Sequence, residues 1–268
     1  MPQDSRRNCY QESSYHPHRF QEADKLDSQF LINDNGLRRD DRNQTDPRAI
    51  FMEVGIVTRA KGSSYIEVGK TKVICACYGP RQLQSKDSSF SKGVLMCEMK
   101  FASFATDIHK TDQSNLQEQE MSAMLVDALS PCVLLDRFPK AQVDIYITVL
   151  EDDGSAFASS ITAASLALAD AGIEMFTLAI GANLKQFGDL TLLDPTAEEE
   201  AMRADLGVDA GQMTLAYMYD LSQVSMITQQ GHSDDQKIKQ GMLALIEMCK
   251  EVYPLMQRCL FASIKKKT

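Results

Sequence analysis

Acidic residues crowd the segment Leu193-Asp194-Pro195-Thr196-Ala197-Glu198-Glu199-Glu200, with Asp194 and Glu200 six residues apart. Such a cluster could draw a hard divalent cation such as Mg²⁺. The plainer expectation is a solvated acidic helix start, favoured by the positive end of the helix dipole. Ser155 follows Gly154 and has the type of a nucleophile, but no base stands near it, so helix capping is expected. The four histidines, His16, His18, His109 and His232, show no ligand spacing. Neither a G-x-S-x-G elbow nor a phosphate-binding P-loop occurs. The seven cysteines are odd in number, irregularly spaced and without a C-x-x-C, which points to reduced thiols in cytosol or nucleus. No metal and no cofactor are expected.

These residues must be held by elements that the hydrophobic period reveals. Residues 1–32 are polar and aperiodic and are expected to form a flexible N-terminal tail, with Tyr10, Tyr15 and Phe20 available to dock on a partner. Ile50, Met52, Val54 and Ile56 alternate as in a half-buried strand. Ser63 to Val68 and Lys72 to Tyr78 follow, the latter apolar on both faces and so central in a sheet. Leu95, Cys97, Met99 and Phe101 alternate against Glu98 and Lys100. Ser114-x-x-Gln117 is a capping-box pattern opening a helix with Met121, Met124, Leu125, Ala128 and Leu129. Val143, Ile145, Ile147 and Val149 predict a strand, and an Ala-rich helix follows from Ser155 to Ala171, stopped by Gly172. A short strand closes this half near Ala182. A second sheet is expected from Leu190 to Leu193, Leu206 to Val208, Gln212 to Tyr219 and Val224 to Ile227. A long helix starts at Ser233-x-x-Gln236, with Pro254 bending or interrupting it. The Met-rich faces around Met121-Met124 and Met242-Met256 read as core or subunit interface. The expected division is 1–32 tail, 33–185 first half, 186–264 second half and 265–268 basic tail, in a mixed α/β (α+β) chain.

Hydrophobic residues make up 44% and charged residues 24%, a globular balance that excludes a coiled-coil, collagenous or wholly disordered chain. The net charge of −9 argues against a free-standing nucleic-acid binder with one broad basic face. Any contact with RNA or DNA must be local or shared with partner subunits. No apolar run approaches the roughly 18 residues of a membrane span, and no signal peptide opens the chain, so no membrane partner is expected.

Several segments together resemble the RNase PH family of phosphorolytic exoribonucleases. Arg38-x-Asp40-x-Arg42 with Asp46-x-Arg48 resembles its R-x-D-G-R…E-x-R opening, Asp41 replacing the usual Gly. Ala60 to Val73 resembles its A-x-G-S-x-x-x-x-x-G-x-T-x-V block, and Tyr78-Gly79-Pro80-Arg81 its Y-G-P-R turn. Ile161 to Gly172 is similar, nearly letter for letter, to the family's Ala-rich helix. The resemblance covers Arg38 to Leu260. It implies the RNase PH fold, related to the ribosomal S5 second-domain type, with two small mixed sheets packed with helices. It also implies assembly into a hexameric ring around a pore.

The resemblance further implies chemistry whose residues are missing. Active members place Thr-Arg before the Ala-rich helix, where the Arg and the helix N-terminus hold phosphate. Here Ala156 and Phe157 fill those positions, flanked by Glu151, Asp152 and Asp153. An Arg pair ahead of R-E-x-E-L-S, which grips RNA, is replaced by Leu116 and Gln117. Asp194 and Glu200 match a carboxylate pair used for acid catalysis or a divalent metal, with Glu where active members carry Asp. Arg81 survives at a family RNA-contact position, weighed against a structural salt bridge at a turn; Arg59 and Lys61 are further pore-side candidates. The expectation is a noncatalytic ring subunit of the eukaryotic RNA exosome, not an enzyme. The implied partners are other RNase PH-like ring subunits, S1/KH cap subunits, an associated hydrolytic exoribonuclease and RNA passing through the pore. The implied roles are rRNA, snRNA and snoRNA processing and mRNA decay, in nucleus, nucleolus and cytoplasm. The rival expectation is an active phosphate-dependent 3′-to-5′ exoribonuclease that shares residues with a neighbouring subunit.

Overall fold

The computed structural model describes residues 37–82, 92–106, 116–188, 190–201 and 210–267. The tail with Tyr10, Tyr15 and Phe20, the Ser114 of the capping-box pattern and the strand expected at Leu206 to Val208 lie outside the described residues.

The first sheet has five strands, β1 (Ile50–Val54), β2 (Gly62–Val68), β3 (Thr71–Gln82), β4 (Val94–Phe101) and β5 (Ala141–Glu151), in the order β1-β2-β3-β5-β4. All neighbours run antiparallel except β4 and β5, which are parallel. Alternation decides the faces: Val73, Cys75 and Cys77 of β3 and Val143, Ile145, Ile147 and Val149 of β5 are all buried. Helix α1 (Leu116–Leu129) lies against β4. Its Glu118 accepts a hydrogen bond from Phe101 N–H at 3.2 Å, and its Ser122 hydroxyl accepts one from Met99 N–H at 2.9 Å. Two amides of an edge strand are thereby satisfied and hidden from stray pairing. Two 3₁₀ turns, Ser130–Cys132 and Leu135–Arg137, lead into β5.

The second sheet comprises β6 (Ala179–Phe187), β7 (Leu190–Leu193), β8 (Ala210–Met218) and β9 (Gln223–Gly231), in the order β7-β6-β8-β9 and wholly antiparallel. Between the sheets runs α2 (Ala156–Asp170), whose residues Ala158 to Leu168 are all buried. Glycines allow the close approach. A Cβ on Gly62 would sit 2.4 Å from Ala167 O, and one on Gly181 2.2 Å from Ala158 O. Gly172, at φ +68°, ends the segment as its sequence position predicts. On the far face of the second sheet lies α4 (Asp235–Lys267), with the short α3 (Ala197–Ala201) before β8. Along β6, Gly181 and Asn183 face α2, while Leu184 and Gln186 meet α4.

Four sequence expectations change. Ile56 lies outside β1 and is exposed, because Gly55 at φ +79° turns the chain first. Tyr78-Gly79-Pro80-Arg81 is not a turn but an irregular stretch of β3, where the pairing with β5 shifts between Tyr78 and Arg81 around a cis Gly79–Pro80 bond. The short strand near Ala182 is the nine-residue β6 of the second sheet, so a division between residues 185 and 186 would cut it. Finally, α4 runs uninterrupted through Pro254 and takes in Lys265 to Lys267, so no separate basic tail begins at 265. Pro254 is exposed while Val252, Tyr253 and Met256 beside it are buried, so its ring stands on the water side and the anchored neighbours carry the helix across.

Candidate functional site

The chain segments that resemble catalytic elements converge at the N-terminal end of α2. Gly154, at φ +85°, makes the turn from β5 into the helix; a Cβ there would come within 2.5 Å of Pro195 O. Backbone from β7–α3 therefore packs directly on the helix start. Ser155 holds the N-cap position in the left-handed region at φ 55°, but its side chain does not cap α2. Instead its hydroxyl lies 3.2 Å from Pro195 O and accepts from Asn183 Nδ2 at 3.4 Å. The capping role expected of Ser155 is therefore not formed, because the left-handed turn aims its hydroxyl at the β7–α3 segment.

Asp194 is 2% exposed. Its carboxylate takes a forked pair from Arg48, with Nε at 2.9 Å and Nη2 at 2.7 Å, and the backbone N–H of Arg48 adds a third bond at 3.0 Å. Burial alone would raise this carboxyl, but the Arg48 bonds and charge outweigh it and hold it below the usual carboxylate range. Arg48 also donates to the carbonyls of Asp153, at 2.6 Å, and Gly154, at 3.0 Å, so one guanidinium ties the turn before α2 to the end of β7. Arg38, fully buried, donates at 2.6 Å to both Leu193 O and Gln44 O. Asp41, where the resembled pattern has Gly, adopts φ +61° in the turn between them. The R-x-D-x-R…x-R arm is thus a clamp. Asp194 supplies the counter-charge of buried Arg48.

Glu200 belongs to a different set. Its Oε1 accepts from Ser155 N–H at 2.9 Å, Asn183 Nδ2 at 2.6 Å and Gln212 Nε2 at 3.1 Å. Burial dominates and pushes its carboxyl up to about 7, with Ser155 N–H, Arg48 and Lys185 opposing. Lys185, itself buried, donates to Glu200 O at 3.1 Å and lies 5.5 Å from the Phe187 ring centre. Glu199 is buried as well: its carboxylate takes Thr196 N–H at 2.9 Å and stands 3.6 Å from Arg38. Only Glu198 of the acidic run is exposed, paired with Arg39 at 2.6 Å. The solvated acidic helix start is therefore overturned. Thr196-x-x-Glu199 forms a capping box that the sequence did contain, and buried arginines, amides and backbone donors draw the remaining acids inward. Among the described residues no group of three or more His, Cys, Asp or Glu side chains is arranged to hold a metal. Asp194 and Glu200 face separate donor sets, which does not fit a shared cation.

The positions set against the resembled family's phosphate and RNA arginines also have definite places. Ala156 is buried, and Phe157 packs partly buried against the main core. Leu116 is 74% exposed on the first turn of α1, and Gln117 beside it is exposed too. Arg81 forms an ion pair with Asp144, which also accepts from Gln142 Nε2 at 2.5 Å. The salt-bridge reading of Arg81 is thus realised, within a strand rather than a turn. Exposed Arg59 and Lys61 sit in the β1–β2 connection, whose Lys61 N–H bonds Cys77 O at 3.0 Å, so all three cations mark one end of the first sheet. The Arg48, Asp194 and Glu200 sets lie at the other end. Sequence reasoning missed the roles of Arg38, Arg48, Asn183, Lys185 and Gln212. Only the Arg pattern and Thr196-x-x-Glu199 carried a local signal; Asn183, Lys185 and Gln212 come to the site through β6 and β8.

The comparisons with known proteins fit this architecture. A family model described as the 3′ exoribonuclease family, domain 1, matches residues 46–174, which span the first sheet and α2. The chain is 34% identical over 242 residues to exosome complex component MTR3 of Homo sapiens, covering 84% of this chain and 87% of that protein. It is 33% identical over 233 residues to exosome complex component Rrp41 of Nitrosopumilus maritimus, covering 86% and 92%. The crystal structure of rice (Oryza sativa) Rrp46 matches with a TM-score of 0.72 at 23% identity, over 83% of this chain and all of that one.

Proposed function

The chain belongs to the RNase PH family of 3′ exoribonucleases, and from that membership we propose that it is a noncatalytic subunit of the hexameric RNase PH-like ring of the RNA exosome. It helps to channel RNA 3′ ends toward degradation and processing performed elsewhere in the assembly. The observation that carries the reading is Phe157. Where phosphorolysis needs a guanidinium to receive phosphate, an aromatic ring packs against the core, and a ring can neither donate a hydrogen bond nor offset charge. Both carboxylates that could serve as acids are engaged with internal donors.

Its partners in this reading are other RNase PH-like subunits on either side, S1/KH cap proteins, a hydrolytic exoribonuclease and the RNA itself. Support for RNA contact is local: Arg81, Arg59 and Lys61 share one end of the first sheet, while the chain as a whole is acidic at −9 and leaves most phosphate contacts to basic neighbours. The pathways are 3′ processing of ribosomal and small RNAs and mRNA decay, in nucleus, nucleolus and cytoplasm.

One observation favours a second reading. A carboxyl near 7, such as that of Glu200, is poised as a general acid, as an active phosphorolytic exoribonuclease borrowing arginines from a neighbour would require. Incubating the protein, alone and with its adjacent ring subunit, with 3′-labelled RNA and inorganic phosphate decides between them. We expect no nucleoside diphosphate attributable to this chain. Release that disappears in Asp194→Ala and in Glu200→Gln would establish the enzyme reading instead.

A further inference from the structure

We propose that Glu200 is a built-in plug: its carboxyl group fills a cradle of N–H donors at the head of α2 and closes that cradle to inorganic phosphate. The inference rests on the noncatalytic reading and deepens it, because it makes the pocket filled rather than merely short of an arginine.

Three donors from three elements meet on one oxygen of Glu200: the Ser155 backbone N–H at the start of α2, the Asn183 amide of β6 and the Gln212 amide of β8. Two of the three are oriented by contacts other than Glu200. The Asn183 side-chain oxygen is fixed by Leu184 N–H at 2.9 Å and the Thr214 hydroxyl at 3.2 Å, which leaves its amino group turned toward the cradle. The pairing of β8 with β6 places the backbone of Gln212 opposite Lys185. The Ser155 amide is set by the left-handed turn after Gly154. Lys185 stands beside the cluster and adds positive charge, while Asp152 opposes it. Convergent N–H groups at a 15-residue helix start suit an oxygen acceptor, be it that of a carboxyl group or of phosphate.

Glu200 reaches this position because α3 lies on the helix start. The Pro195 carbonyl is too close to Gly154 to admit a Cβ, and the Thr196–Glu199 capping box orients the turn that carries Glu200. The carboxyl group therefore has the advantage of being tethered, and free phosphate must displace it. A Phe157→Arg exchange adds a cation near the helix start but leaves the cradle occupied.

The test is phosphate binding to purified wild type, Phe157→Arg, Glu200→Gln, Glu200→Ala and the Phe157→Arg/Glu200→Ala double variant. It is read by ³¹P line broadening and by melting temperature in about 10 mM phosphate against chloride at equal ionic strength. Wild type, Phe157→Arg and Glu200→Gln are expected to match one another, with no broadening. Glu200→Ala should gain a phosphate-specific rise of at least about 2 °C over wild type. The double variant should bind at least about tenfold more tightly than Glu200→Ala. Should Glu200→Ala fold poorly in chloride, phosphate should restore its native circular dichroism, and failure to do so counts against the proposal. Phosphate binding by Phe157→Arg with Glu200 intact overturns it, and leaves the noncatalytic reading standing. Phosphorolysis by the wild-type chain sinks that reading instead.

Discussion

Arg48 and Asp194 illustrate how a pair of charged residues can be held in the interior of a fold. Both are nearly inaccessible, and their forked contact has become part of the frame that joins the N-terminal arm, the β5–α2 turn and the end of β7. Removing one partner leaves the other charge buried without compensation, which typically costs about 3–5 kcal/mol. Arg48→Met should therefore lower the free energy of urea unfolding by about that amount; a loss under about 1 kcal/mol would mean that the pair is not structural. The two acids also predict opposite pH behaviour. Asp194 is held below 3.8, so its contribution is present above that value and is lost as acid protonates it. Glu200 is raised from 4.5 to about 7, so its contribution is full below 4.5 and is lost as pH rises through about 7. Stability curves should accordingly decline toward neutrality by on the order of 2 kcal/mol, allowing for partial solvent screening. In Glu200→Gln that decline should disappear while the acid limb remains. A wild-type curve flat from pH 4.5 to 7 would show that Glu200 ionises as freely as an exposed carboxyl.

At the scale of elements, α2 organises the molecule by serving two sheets at once. Its run of Ala and Ser allows backbone to approach backbone, and Gly62 and Gly181 complete the fit from either side. Two glycines next to this helix should respond differently to the same change. Gly181→Ala drives a methyl group to within 2.2 Å of the Ala158 carbonyl, a clash with backbone that no rotamer relieves. It should cost more than about 3 kcal/mol or abolish soluble expression. Gly172→Ala meets nothing within 4 Å and pays only for its left-handed φ of +68°, about 1 kcal/mol. Parallel thermal melts of the two variants check the contrast, and equal losses would contradict the close-approach account. Likewise Glu118 and Ser122 of α1 seal the β4 edge, which gives structural work to an acidic and a hydroxyl residue.

For the whole molecule, charge limits what this chain can do by itself. Its net charge of −9 opposes a polyanion, and among the described residues Arg81, Lys72 and Lys100 are held in ion pairs. Each phosphate contact contributes roughly 0.7 to the salt slope of single-strand binding. We therefore expect the isolated chain to show a slope no steeper than about 2 in filter binding, and Arg81→Ala in the assembled ring to reduce the slope by at most about one unit. A steep slope for the isolated chain would require a cationic groove formed by other residues. In the proposed ring, threading of RNA rests on phosphate contacts supplied by basic neighbours.

Periodicity and turn chemistry were enough to locate β5, α2 with its Gly172 stop, and the alternating faces of β4, because those patterns are local and strong. That an aromatic ring stands at Phe157 could likewise be read from letters alone, and phenylalanine has no hydrogen to donate to phosphate in any fold. Strand β6 was legible only as a fragment. It is buried on both faces between α2 and α4, so its Asn183, Lys185 and Gln186 break any alternation while tertiary partners satisfy them. The acidic run also misled for a physical reason: sequence shows the charges but not the donors that surround them. Only the packing of α3 onto the start of α2 decided that Asp194 belongs to Arg48 and Glu200 to Ser155, Asn183 and Gln212, because those contacts join residues drawn from distant parts of the chain.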